Sequence, residues 1–337
     1  MTTATFIENE HHLFEKRIQD QAGALAQEFK QATRLYLFFH IGFLAFILGE
    51  VFSFVMFLSF WLHSPAIAFL IASFLLGVFS YFVLCPHIQG RKEEQLGLLV
   101  QNFVHSIHEH TSKENHLSIA HGIYRAVLHL DRMEEEYYVL PFAWETPNIL
   151  LKKFSIYCHW RDVLKVKELL LFEALSEHVE LIKKEPSDLE AHAALGEAYL
   201  KLASLYEEKK HQGEEPLWIP PEYSLEPMRG KHRKALERAL EEFKIIETYL
   251  PEDPWVHAQI ARIYRDLKET EQEIASYEII LKLSPRDSTV MSYLGMLYFR
   301  EGKVVKGLKM YQKLKEHSEL EALELLKYYD AYDIKKF

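Results

Sequence analysis

The chain has 337 residues, 49% of them apolar, and a formal net charge of -10. An acidic chain repels phosphate backbones, which argues against nucleic acid as a partner. Two cysteines, Cys85 and Cys158, with no CxxC between them, suggest no disulfide framework.

Residues 1–34 are polar, with four Lys or Arg and five Asp or Glu, and hold an amphipathic stretch over 13–29. They read as a cytoplasmic N-terminal segment. The apolar run behind them starts too late and runs too long for a secretory signal. Residues 35–62 then carry one charge, Glu50, and residues 66–84 carry none. At about 1.5 Å per residue each run can cross a hydrocarbon core of roughly 30 Å. His63-Ser64-Pro65 leaves room only for a tight reversal, so residues 35–85 are expected to form an antiparallel transmembrane hairpin embedded in lipid along residues 35–84. Lys16, Arg17, Lys30 and Arg34 precede it, Arg91 and Lys92 follow it, and the turn has no basic residue. This bias places both ends in the cytoplasm.

Small residues recur along the runs: Ala45, Gly49 and Ser53 on the first, Ser73 and Gly77 on the second. They let backbones approach where no hydrophobic force draws helices together. The expected register sets Gly49 opposite Gly77 and Ser53 opposite Ser73, and the same faces offer a route to a homo-oligomer. Glu50 lies near mid-membrane. A lone carboxylate makes no ion pathway, so it is expected to be protonated, bonded to Ser53, Ser80 or Tyr81, or paired with a second copy. Cys85, at the end of the second run, reads as a small interfacial residue; in a eukaryotic host membrane it would be open to acylation.

Residues 86–188 are polar and helical in pattern, without sustained period-two alternation. Thr111-Ser112-Lys113-Glu114 has the form of a capping box. His105, His108, His110, His116 and His121 cluster, but without HExxH, a cysteine partner or a repeated ligand spacing no metal is expected. No phosphate loop, GxGxxG, GxSxG or kinase signature occurs, so neither enzyme activity nor a cofactor is expected.

Toward the C-terminus a period of 34 emerges. It relates Pro251 to Pro285, Ile260 to Leu294, Ala261 to Gly295, Tyr264 to Tyr298, Tyr277 to Tyr311 and Ile280 to Leu314. Leu195, Gly196 and Tyr199, with Ala239, Phe243, Ile246 and Pro251, repeat the pattern upstream. This resembles the tetratricopeptide repeat (TPR) superfamily, in which antiparallel helix pairs stack. The resemblance implies units at 189–253, 254–287 and 288–321, a long insertion at about 209–231 that holds Trp218, Pro220 and Pro221, and a closing helix at 320–332. Residues 86–188 would add degenerate helices of the same kind. Glu273 departs from the family pattern, at a position that is usually small, as do His257 and Met291, which replace the common Trp. The fold class is therefore all-α: a two-helix transmembrane hairpin followed by a TPR-like α-solenoid.

The family binds proteins or peptides along a groove lined by the first helix of each pair. Carried onto this chain, those positions are Ala193, Glu197 and Leu200; then Trp255, Ala258, Arg262 and Arg265; then Ser292, Met296 and Phe299. Ala193 and Glu197 argue against the subfamily that clamps chaperone tails with Lys and Asn. The hairpin is also similar to the bilobed segment of chlamydial inclusion-membrane proteins, and the repeats to chlamydial TPR membrane proteins. The implied function is a membrane-anchored adaptor for protein partners, in a bacterial inner membrane or, if chlamydial, a host-derived vacuole membrane. The alternative is a subunit or assembly factor of a membrane complex, with the hairpin as its contact surface.

Overall fold

The computed structural model describes residues 2–56, 66–110, 115–131, 133–135, 137, 145–207 and 226–333. The reversal at His63-Ser64-Pro65, the capping box at 111–114 and the Trp218-containing part of the insertion lie outside the described residues. In chain order the helices are α1 (Thr2–Met56), α2 (Ala66–His110), α3 (His116–His129), α4 (Glu145–Lys184), α5 (Leu189–Tyr206), α6 (Glu226–Tyr249), α7 (Pro254–Leu267), α8 (Thr270–Leu283), α9 (Ser288–Arg300), α10 (Val304–His317) and α11 (Glu319–Asp333), with one 3-10 turn at Met133–Glu135. No strand occurs among the described residues. The chain divides into two compact units, the division falling within α4 after Glu177.

In the first unit, α1 and α2 are each one unbroken helix through both their polar and apolar parts. The N-terminal segment is therefore the lower half of the helix that holds the first apolar run. Its residues Ala22, Leu25, Ala26 and Phe29 enter a core with Leu96, Val100, Phe103 and Ile107 of α2, Ile119 and Ile123 of α3, and Val163, Val166, Leu170 and Ala174 of α4. α3 opens at Asn115, whose side chain accepts from the Ser118 N–H (3.2 Å). The apolar halves of α1 and α2 do the opposite. Phe38, Phe52, Phe69 and Leu76 are all more than 60% exposed, and both helices are long and apolar enough to cross a membrane.

The second unit is an array of helix pairs. α5 packs on α6, α7 on α8 and α9 on α10; α6 meets α7, α8 meets α9, and α11 covers α9 and α10. One short motif starts each pair. Pro186, Pro251 and Pro285 end the preceding helix, and two residues later Asp188, Asp253 and Asp287 cap the next. These carboxylates accept from Glu190 and Ala191, from Trp255, and from Val290 N–H groups respectively, satisfying donors that a helix leaves open. Within the pairs the chain reverses through left-handed residues, Lys268 (φ 63°) and Gly302 (φ 70°), again 34 positions apart. The small positions give close approach: a Cβ built on Gly196 would lie 2.8 Å from the Phe243 ring, and one on Gly295 would lie 3.2 Å from the Met310 Cβ. The architecture is all-α among the described residues, and its second unit is an array of antiparallel helix pairs with a 34-residue period.

Candidate functional site

The expected groove residues of α7 share one helix face. Trp255, Ala258 and Arg262 are exposed, and Trp255 stands edge-on to the Phe243 ring (5.8 Å). Arg265, the next in that series, turns toward α9. Its Nη1 lies 3.5 Å from the Tyr293 hydroxyl and its Nε 3.6 Å from Asp266. Tyr293 in turn donates to Glu273 Oε1 (3.1 Å), and Arg300 approaches the other oxygen at 3.7 Å. Glu273 is 1% exposed. Burial pushes its carboxyl above the usual range, against the opposing pull of the Tyr293 bond and of Arg300 and Arg265. Tyr277 closes the cluster, its ring 5.0 Å from Tyr293.

On α9, Ser292 and Met296 are half-buried, but Phe299 is 2% exposed and packs on Tyr329 of α11 (5.3 Å). The expectation that Phe299 lines a groove is corrected here. α11 occupies the place that a further repeat would take, and Phe299 becomes core. Arg265 and Phe299 are 34 residues apart and both face the helix that follows, so this position belongs to the seam between pairs.

Two histidines whose partners sequence reasoning did not predict join the pairs. His192 sets Nδ1 2.7 Å from Glu242 Oε2 and Nε2 3.1 Å from the Pro186 carbonyl. His257 sets Nε2 2.8 Å from the Pro251 carbonyl, with Glu247 3.3 Å from Nδ1. In both, a buried imidazole bonds to the carbonyl of the proline six residues before it. The shared Pro–Asp–His spacing was the available signal; the glutamate partners are visible only in three dimensions.

In the hairpin, the Ser73 hydroxyl donates to Glu50 Oε1 (2.7 Å). Gly77 faces Phe46, whose ring would come 2.7 Å from an added Cβ, whereas a Cβ on Gly49 would meet nothing within 4 Å. The expected pairings of Gly49 with Gly77 and Ser53 with Ser73 are therefore displaced by about one turn. Glu50 takes Ser73 as partner, outside the expected set of Ser53, Ser80 and Tyr81. Tyr81 instead meets His40 (3.1 Å) and stacks on Phe39 (6.1 Å). Ala45, Gly49, Glu50, Ser53 and Ser73 line an open cleft.

Below the hairpin the first unit holds buried charge. Lys92 Nζ lies 2.7 Å from Asp162 Oδ1 and 3.9 Å above the Tyr36 ring. Burial raises the Asp162 carboxyl while Lys92 opposes it. His159 stacks on Tyr137 (4.1 Å), and burial, with Lys92 nearby, pushes it down to about 4. Of the histidine cluster, His108 and His116 grip opposite oxygens of Glu177 at 3.0 and 2.7 Å. No trio of His, Cys, Asp or Glu is arranged for a metal among the described residues.

These features define a helical-repeat fold in which the exposed strip of α7 is the candidate site. The chain matches no protein-family model and no curated protein. Solved structures similar to it include TTC0263, a thermophilic TPR protein of Thermus thermophilus, at 20% identity and TM-score 0.32, covering 72% of this chain and 99% of that one. They also include MamA from residue 41 to its end, of Desulfovibrio magneticus RS-1, at 11% identity and TM-score 0.31 over 66% and 94% of the two chains. MamA of AMB-1 is similar at 14% identity and TM-score 0.31, over 61% and 89%.

Proposed function

We propose that this protein is a two-pass membrane scaffold, with both ends in the cytoplasm and helix pairs that hold a protein partner near the bilayer. The observation that carries the reading is the uncovered apolar surface of α1 and α2, from Phe38 through Leu84, beside helices that bury their own apolar faces. Leaving so much apolar side chain in water costs about 25 cal/mol per Å², and a lipid phase removes that cost. The exposed strip of Trp255, Ala258 and Arg262 on α7 suits an extended segment that brings an apolar anchor and a carboxylate. Anchoring raises the effective concentration of whatever is held there.

Two measurements test this reading. The full-length protein should stay with membranes through alkaline carbonate washing and leave only with detergent; a monodisperse protein in plain buffer refutes the anchor. Partner capture by the detergent-solubilised chain should fall at least about tenfold with Arg262→Glu, the loss of one charge-assisted contact of about 1.5–3 kcal/mol. Undiminished capture by the folded variant moves the binding face elsewhere. Arg265 is a poorer probe, because it is tied to Tyr293. A second reading, contact of the hairpin with another membrane protein or a second copy, is favoured by the open space over Gly49.

A further inference from the structure

α11 closes the array of helix pairs with one face and leaves the other bare. Ala322 and Leu325 are each 1% exposed and share a core with residues of α9 and α10. On the other side Leu320, Leu323 and Tyr328 are 71%, 52% and 49% exposed. The 34-residue period puts Tyr328 in the place of Ile260 and Leu294. Those two are 3% and 1% exposed, in pairs where a second helix packs on the first. No described helix follows α11, so the same place on it stays open. Among the bare apolar residues stand Glu324 and Lys327, both exposed and neither in an ion pair among the described residues. At three- and four-residue spacing, positions 320, 323, 324 and 327 lie on one side of the helix.

We infer that this face binds the same face of a second copy, α11 lying antiparallel on α11. Antiparallel packing is the arrangement of the pairs in the array, and a two-fold axis imposes it on two copies of one helix. With the axis midway between positions 325 and 326, Leu323 of each copy comes level with Tyr328 of the other, and Glu324 with Lys327 of the other. Each contact is made twice, and each helix covers the place the other leaves open. The charges fix the register: an axis at 324 sets the two Glu324 carboxylates against each other, and an axis at 327 does the same to the lysines. A contact of one helix face from each copy is small, below the roughly 1,200 Å² of standard interfaces, so a weak dimer is expected. It uses neither the hairpin nor the α7 strip, and it does not depend on α1 and α2 being spans. A dimer formed this way presents two α7 strips in one assembly.

Light scattering on the full chain in detergent, with the detergent mass subtracted, decides it over about 1–100 μM protein. The native chain should pass from monomer to dimer across that range. Glu324→Lys and Lys327→Glu each set like charges opposite one another, and each should weaken the dimer at least about tenfold while matching the native helicity. Mixing the two variants should restore dimers, because each then brings the charges that the other lacks. A native chain still monomeric at the highest concentration overturns the inference. So does a dimer that neither variant weakens, whose copies then meet through the hairpin or another face. A mixture no more dimeric than its two components overturns the antiparallel pairing of Glu324 with Lys327, and the inference with it.

Discussion

Glu273 holds a buried carboxylate at the seam between α8 and α9. Its burial is offset by one hydrogen bond from Tyr293 and by a distant Arg300. The balance raises its pKa in the folded state above that of the unfolded chain. The native state therefore binds this proton more tightly, and the stability it contributes is present below the unfolded pKa and lost as pH rises through the folded one. Glu273→Gln keeps an acceptor for Tyr293 and removes the charge. In chemical denaturation the variant and the native protein should have nearly equal midpoints at pH 4, and the variant should gain on the native protein as pH rises to 8. A difference that does not change with pH would show that Glu273 is no costlier to ionise in the folded state than in the unfolded one. The sequence made this residue conspicuous as a charge at a small-residue position, but its partners lie on other helices and no spacing predicts them. The Pro–Asp steps at 186–188, 251–253 and 285–287 are different in kind: the cap bonds to its own helix, so local order alone is enough to read them.

At the scale of elements, helices were easier to read than their register. Apolar runs and the 34-residue period locate the helices because both are properties of one segment. Register depends on which side chains fill the space between two segments. In the hairpin the small residues marked plausible faces, but Phe46 fills the space over Gly77 and moves the contact about one turn along α1. Because residue 46 and not 49 faces 77, cysteines at 46 and 77, in a chain lacking Cys85 and Cys158, should cross-link under mild oxidation in membranes far more readily than cysteines at 49 and 77. Cysteines at 49 and 77 should form at most a trace of that product. Equal yields would return the register to the one that small-residue matching suggests. The same distinction explains Phe299: periodicity placed it correctly in the repeat, and only the docking of α11 made that place interior.

At the scale of the whole molecule, the N-terminal segment joins the first apolar run to the core of the first unit. Its polarity set it apart as a segment of its own, and the structure runs it straight into the first apolar run and builds a core around its inner face. Ile18, Leu25 and Phe29 are each no more than 3% exposed. At about 1.5–3 kcal/mol for each large side chain fully buried, these three contribute roughly 5–9 kcal/mol, comparable with the roughly 5–15 kcal/mol net stability of an ordinary domain. A chain beginning at residue 31 would keep both apolar runs and all the helix pairs of the second unit. It should nevertheless lose hydrogen-exchange protection at residues 119–126 of α3, whose buried Ile119 and Ile123 belong to the core that α1 completes. Protection in α7 and α9 should persist. Retained protection in α3 would mean that the core closes without its first helix. Lys92 belongs to the same join: counted among the positive charges that orient a hairpin, it is held inside the protein by Asp162 and Tyr36. On the proposed membrane reading the topological signal then falls to the other basic residues, of which Lys16, Arg17, Arg34 and Arg91 are exposed.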